Sequence, residues 1–147
     1  MSLSEVLDSW FATYGNTHST VELVARVSDD TWAVVLDDDT QLTATIDEPT
    51  GRMGLISGLG KPAEIGRERV LEGLLMYSLM WRETGGVRAA IDGDGEAQLI
   101  AELTLHDLTE SGLHWAIEDF TAKTQVLTEF VATGRAADDD PQTMIRL

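Results

Sequence analysis

The pattern of apolar and polar positions near the N-terminus predicts a helix that buries one side. Five apolar residues recur there at helical spacing, with polar residues between them: Val6, Leu7, Trp10, Phe11 and Tyr14. Such spacing places them on one face of a helix. Gly15 follows and is a residue that readily takes the left-handed conformation that ends many helices. We therefore expect the first helix to span residues 4–14.

The next part of the chain has the pattern of an antiparallel meander. Three short runs with strand-like composition follow the helix: residues 21–27, 31–36 and 41–46. The intervening residues 28–30 and 37–40 are rich in Asp and in hydroxyl residues, which favour turns. Residues 47–61 contain five Gly and Pro residues, so this stretch is predicted to be mostly loop, with a short strand possible at residues 53–57.

A second helix is predicted in the middle of the chain, opened by Pro62 and ended by Gly85. Its apolar positions recur at three and four and extend far around the helix: Val70, Leu71, Leu74, Leu75, Met76, Tyr77, Leu79, Met80 and Trp81. A helix that is apolar over so wide an arc must bury two sides. The second side is either a subunit interface or a contact inside the same chain.

The last part of the chain predicts a hairpin followed by a long helix. Strands at residues 87–91 and 97–105 flank an Asp-Gly turn, a strong hairpin signal. Thr109 is the expected N-cap of the final helix, which ends at Gly134. One stripe of that helix is apolar: Leu113, Ala116, Ile117, Phe120, Leu127, Phe130 and Val131.

These elements predict an α+β fold, in which an antiparallel twisted sheet is packed by helices. The expected order is helix, three strands, helix, two strands, helix. Residues 1–134 are expected to form a single domain, and residues 135–147 an acidic mobile tail.

Composition narrows the range of partners. The chain of 147 residues has 10 basic and 26 acidic residues, giving a formal charge of −16, and no cysteine. Nucleic acids and anionic membranes bind clusters of Lys and Arg, so neither is an expected partner. Without cysteine there is no disulfide framework or thiol nucleophile, and no run of about 20 apolar residues is present to span a bilayer. A cytoplasmic location follows most simply.

Several residues were considered for catalysis or metal binding, and each has a simpler interpretation. The acidic residues 92–96 lie between strands and lack the spacing of a calcium loop, so they predict a turn. His114 and Glu118 are one helical turn apart, but no second ligand pair matches them. His106 next to Asp107 suggests a general base, yet no Cys nucleophile or Gly-x-Ser-x-Gly motif is available. No metal, cofactor or catalytic residue is therefore predicted.

The second half of the chain resembles a known family. Residues 71–86 form an apolar helix with an aromatic residue near its end, followed by Gly-Gly. A strand, an acidic turn, a Leu-rich strand at residues 99–105 and a Leu-x-Asp-x-Thr sequence at residues 105–109 come next. Together with the element order, this resembles the class I chaperones of bacterial type III secretion, of the Tir-chaperone (CesT-like) type.

The resemblance implies a homodimer that binds the extended N-terminal segment of a secreted effector without ATP hydrolysis and keeps it competent for secretion. The residues expected to contact the effector are Val6, Trp10, Phe11, Trp32 and Val34. The residues expected at the dimer interface are Leu75, Leu79, Trp81 and Val87. Two alternatives stay open, namely a regulatory interaction module of the same fold and a small enzyme that uses His106 or carboxylates.

Overall fold

The computed structural model of the protein describes residues 1–135, which form three helices and six strands. In chain order the elements are α1 (Leu3–Thr17), β1 (Val21–Ser28), β2 (Thr31–Leu36), β3 (Gln41–Asp47), β4 (Arg52–Gly60), α2 (Arg67–Leu79), β5 (Arg88–Ile91), β6 (Ala97–Thr104) and α3 (Glu110–Thr133). The strands hydrogen-bond in the order β1-β2-β3-β4-β6-β5. The α+β class is confirmed, while the predicted tail lies, from residue 136 onward, outside the described residues.

The chain divides into two compact units. The first contains Met1–Ile56 and Glu102–Thr121, and the second contains Ser57–Ala101 and the chain from Ala122 onward. Strands β4 and β6 and helix α3 contribute to both units. The prediction of one domain over residues 1–134 stays a prediction.

Helix α1 is longer at its C-terminal end than the sequence pattern predicted. Ser2 and Glu5 form a capping box that fixes the start of the helix. Gly15 does not end the helix but lies within it, where an added Cβ would stand 2.8 Å from the Val24 side chain. The glycine therefore serves a close approach of α1 to β1, and the helix continues to Thr17.

The first unit has its core between α1, α3 and one face of the meander. Trp32 is fully buried and stacks on Phe11 with ring centroids 5.1 Å apart. Its indole Nε1 donates a hydrogen bond to the Asp8 carboxylate at 3.0 Å, so burial of the ring leaves no polar atom without a partner. Trp32 pairs with Ala44 on β3 and Val34 pairs with Leu42, and both of these partners are buried.

The segment predicted to be mostly loop contains the nine-residue strand β4, which includes and extends the short strand that the sequence allowed at residues 53–57. Met53, Leu55 and Leu59 are buried on one face, while the other face carries exposed glycines at positions 54, 58 and 60. Glycine is depleted in strands and common in turns, which is why composition indicated a loop. The alternation with a period of two was the correct signal.

The second unit contains α2, the β5–β6 hairpin and the C-terminal part of α3. Helix α2 starts at Arg67 and not at Pro62, because Gly66 adopts the left-handed conformation, with φ 87°, and redirects the chain immediately before the helix. The helix ends at Leu79, before the predicted end at Gly85, and a turn occupies the residues between them. In α3 the N-cap prediction holds, since the Thr109 hydroxyl accepts a hydrogen bond from the backbone N–H of Gly112 at 3.0 Å. The apolar stripe of α3 is buried throughout.

No helix among residues 1–135 is both long enough and apolar enough to span a membrane.

Candidate functional site

The first candidate surface contains the residues that the sequence assigned to effector contact. Phe11, Trp32 and Val34 are buried in the core of the first unit, where they have almost no surface to offer a partner. Val6 and Trp10 on α1 are half-buried and retain accessible surface. The assignment of these five residues to effector contact stays a prediction, and Val6 and Trp10 are the two of the five with accessible surface.

The opposite face of the same strands carries accessible apolar residues among threonines and Gln41. Directly paired residues of antiparallel strands share a face of the sheet. Pairing joins Leu23 to Val35, Ala25 to Ala33, Ala33 to Thr43 and Thr43 to Ile56. None of these six residues is buried, and Leu23 and Ile56 are 53% and 41% exposed. We call this set the outer sheet face: Leu23, Ala25, Ala33, Val35, Thr43 and Ile56.

Strand β1 adds an open edge to the outer sheet face. It stands at one end of the strand order, so that one of its sides has no strand neighbour within residues 1–135. Such an edge presents backbone N–H and C=O groups to an extended partner chain. Trp32 and Val34 were expected to contact the effector, but successive residues of a strand point to opposite faces. The accessible face of β2 belongs instead to Ala33 and Val35.

The second candidate surface lies on helix α2. Its buried side consists of Val70, Gly73, Leu74 and Tyr77. On the opposite side Leu75 and Leu79 are 72% and 80% exposed, so the alternative of a helix buried on two sides within one chain does not hold for these residues. Of the residues assigned to a dimer interface, Leu75, Leu79 and Trp81 are accessible, whereas Val87 is buried. That assignment likewise stays a prediction.

Trp81 follows α2 and lies close to two arginines. The guanidinium carbon of Arg82 is 5.2 Å from the indole centroid and that of Arg88 is 5.0 Å from it. Both distances are within the range of cation–π contacts. No ion pair joins either arginine to a carboxylate in the described part of the chain. Sequence analysis missed this cluster because Arg88 reaches Trp81 only through the fold.

Helices α1 and α3 are joined by a cluster of aromatic and histidine side chains. His18 Nε2 lies 2.6 Å from Glu118 Oε1, and its Nδ1 lies 2.9 Å from the Tyr14 carbonyl oxygen. His114 Nε2 lies 2.8 Å from the Trp10 carbonyl oxygen. Burial, with a further contribution from the Glu118 carboxylate, raises the pKa of Tyr14 from 10.0 to about 12. His114 and Glu118, considered above as half of a metal site, thus have separate partners in helix packing.

The other polar candidates lie on open surface. His106 is exposed, and its Nε2 is 3.8 Å from Asp107 Oδ1. In the hairpin turn the Glu96 backbone N–H and the Gln98 amide donate to Asp92 and hold the pKa of its carboxyl below the usual range. Asp92 thus closes the turn as predicted for residues 92–96. In the described part of the chain, no group of three His, Cys, Asp or Glu side chains is arranged to hold a metal ion.

Comparison with known families gives a match across more than half of the chain. The model of the Tir chaperone protein (CesT) family matches residues 28–127. Among curated proteins, no match was found.

Solved structures share the fold at low sequence identity. The ExsC–ExsE complex matches with a TM-score of 0.72 at 13% identity, over 90% of this chain and 98% of that chain. The HopA1–SchA chaperone–effector complex matches with a TM-score of 0.64 at 15% identity, over 86% and 95%. The Yersinia pestis type III secretion chaperone SycH, solved with a stable fragment of YscM2, matches with a TM-score of 0.60 at 19% identity, over 86% and 99%. At these identities the likeness concerns the fold.

Proposed function

The chain belongs to the Tir chaperone protein (CesT) family, and we propose that it is an ATP-independent chaperone for the extended N-terminal segment of a type III secreted effector. It keeps this segment soluble and competent for secretion, works in the cytoplasm as a homodimer, and catalyses no reaction. HopA1–SchA is a chaperone–effector complex and SycH is a type III secretion chaperone. Their shared fold supports the proposal.

The observation that carries the proposal is the outer sheet face beside the open edge of β1. An extended polypeptide gains affinity by pairing its backbone with such an edge and by placing alternate side chains on the adjoining apolar surface. Leu23 lies at this edge, and Val35 is its direct partner on β2. The two side chains therefore form the first apolar contacts that an added strand would meet.

The negative charge of the chain suits an unfolded client with exposed apolar side chains. A formal charge of −16 favours solubility of the complex while the apolar segment of the client binds and dissociates. The accessible parts of Val6 and Trp10 on α1 provide further apolar contacts for the client. These two residues remain the part of the original assignment that a client can reach without unfolding the core.

The proposed homodimer uses the exposed side of α2. Leu75 and Leu79 are large, accessible and on the side of the helix that faces away from its own unit. Burying such residues against a second copy removes apolar area from water at about 25 cal/mol per Å². The two copies then present two client surfaces, which lengthens the segment that one client can occupy.

Capture of the client from its own cells tests the proposal. The tagged protein should retain, near equal stoichiometry, a larger protein bound through its N-terminal region. The double change Leu23→Asp and Val35→Asp should abolish retention, because two carboxylates on the outer sheet face cannot be buried under an apolar segment. Ala132→Asp, which adds a carboxylate on an exposed position of α3, is the matched control and should retain the client.

The same experiment separates the remaining alternatives. Retention of a folded partner, with no protection of an extended segment from protease, would favour a regulatory interaction module of the same fold. Retention by the Leu23→Asp and Val35→Asp variant, at the level of the control, would place the client surface elsewhere. Circular dichroism of all variants checks that the sheet is intact.

A further inference from the structure

Glu72 lies on the exposed side of α2 and Arg82 lies in the turn after the helix, and we propose that the two residues set the register of the dimer. Two copies pair with their α2 helices antiparallel, and Glu72 of each copy forms an ion pair with Arg82 of the other. The inference rests on the proposed homodimer and adds to it the orientation, the register and the residues that specify it.

The exposed side of α2 is centred on a narrow stripe of four residues, and Arg69 and Met76 are exposed beside this stripe. Glu68, Glu72, Leu75 and Leu79 are separated by four, three and four residues, and all four are exposed. At 3.6 residues per turn this spacing keeps them in one line along the helix. The buried residues Val70, Gly73, Leu74 and Tyr77 form a line on the opposite side. The stripe therefore faces away from the second unit and is free to meet another copy.

Charge is distributed unevenly along this stripe. Its N-terminal half carries Glu68 and Glu72, and its C-terminal half carries Leu75 and Leu79. Trp81 and Arg82 lie in a turn beyond the last helical residue. In this turn the Thr84 backbone N–H donates a hydrogen bond to the Met80 carbonyl oxygen. The stripe is thus acidic at one end, apolar in the middle and basic at the other end.

Arg82 and Arg88 are available to bind a carboxylate of another chain. Each is held against a face of Trp81, which limits the positions of the guanidinium groups. A guanidinium stacked on an aromatic ring keeps its N–H edge available for hydrogen bonds. Within residues 1–135 neither has an ion-pair partner, although the chain has 26 acidic residues. This is an ordered basic site on a protein that is otherwise strongly acidic.

A second copy supplies the missing carboxylate if the helices run antiparallel. When Leu75 meets Leu79 of the partner copy, the residue three positions before Leu75 lies opposite the residue three positions after Leu79. Those residues are Glu72 and Arg82 of the partner copy. Twofold symmetry repeats every such contact, so both ends of the interface gain an ion pair. A parallel arrangement would instead place Glu72 beside Glu72 and Arg82 beside Arg82, which like-charge repulsion disfavours.

Reversal of each charge tests this register by sedimentation at low salt. Glu72→Arg and Arg82→Glu should each raise the dimer dissociation constant about tenfold or more, because two attractive pairs become two repulsive ones. The double variant restores both pairs and should return to within about threefold of the original protein. Glu96→Arg in the hairpin turn and Lys61→Glu before α2 make the same changes in net charge and should leave dissociation unchanged.

The outcomes separate the register from the proposed function. A double variant as weak as the single variants would overturn the register, as would single variants as tight as the controls. A monomeric original protein would overturn both the register and the homodimer, while client capture by that monomer would leave the client surface intact. Unchanged thermal unfolding of each variant shows that its monomer still folds, since all four positions are exposed.

Discussion

Burial of Tyr14 makes the stability of the first unit sensitive to alkaline pH. The residue is 2% exposed, and its ring is stacked on His18 with centroids 3.9 Å apart. A phenolate at this position would lose its hydration and would be repelled by Glu118, and this raises the pKa of Tyr14 to about 12. The spacing of α1 predicted that Tyr14 would be buried, but its neighbour Glu118 is 104 positions away in the sequence and no local pattern indicated it.

The raised pKa of Tyr14 predicts a loss of stability in alkaline solution. The folded state holds the phenol proton more tightly than the unfolded chain, whose Tyr pKa is near 10. The contribution of Tyr14 to the free energy of unfolding is therefore complete below pH 10. It declines as the pH rises toward 12, by about 2–3 kcal/mol in total. Urea unfolding between pH 9 and 12 measures it, and Tyr14→Phe should lose less stability over that interval. Equal losses in the two proteins would contradict the assignment.

At the same scale, the buried and the accessible residues of one strand had similar sequence signals. Trp32 and Val34 were expected to contact the client, but they are buried in the core. Ala33 and Val35 alternate with them along β2 and lie on the outer sheet face. Alternation alone gives two faces without saying which is covered, because the covering helices come from distant parts of the chain.

At the scale of elements, the packing of α2 against α3 depends on a glycine that no turn requires. Gly73 lies on the buried side of α2, and an added Cβ there would overlap the ring of Phe130. The ring fills the space where other residues carry a side chain. The two helices are thus able to approach closely in the second unit.

We predict that Gly73→Ala lowers the free energy of unfolding by about 1–3 kcal/mol, because the methyl group overpacks this contact. Without that contact the same change would favour the helix by about 1 kcal/mol, so the sign of the effect is diagnostic. Gly54→Ala is the control, since its added Cβ would meet only the Thr45 carbonyl oxygen, at 4.0 Å. Denaturant unfolding that shows Gly73→Ala to be stabilising would refute the close packing.

Most elements were predictable because each carries a regular period or a strong turn signal. The hairpin turn, the N-cap at Thr109 and the end of α3 at Gly134 follow local rules that tertiary structure did not override. The predictions of a mostly loop segment at residues 47–61 and of a start of α2 at Pro62 were wrong for the same physical reason. Glycines at positions 54, 58, 60 and 66 are a turn signal by composition, but the first three occupy the exposed face of a strand, and Gly66 redirects the chain immediately before α2.

At the scale of the whole molecule, the acidic chain carries two accessible apolar surfaces, the outer sheet face and the exposed side of α2, to which we assign different partners. Family membership and the fold were foreseen from the second half of the sequence, where the helix before Gly85 and Gly86 and the Leu-rich strand lie. The outer sheet face was not foreseen, since strand pairing has to be known before Leu23, Ala33 and Ile56 can be placed together. The α2 surface was foreseen because the apolar arc of that helix is visible along the sequence.

Amide hydrogen exchange of the protein with and without its captured client tests the central claim most directly. If an extended client segment pairs with the open edge of the sheet, exchange of amides in β1, residues 21–28, should slow in the complex. Amides of α2 should change little, because that helix is assigned to the dimer in both states. Unchanged exchange in β1, or slowing confined to α2, would contradict the assignment of the outer sheet face as the client surface.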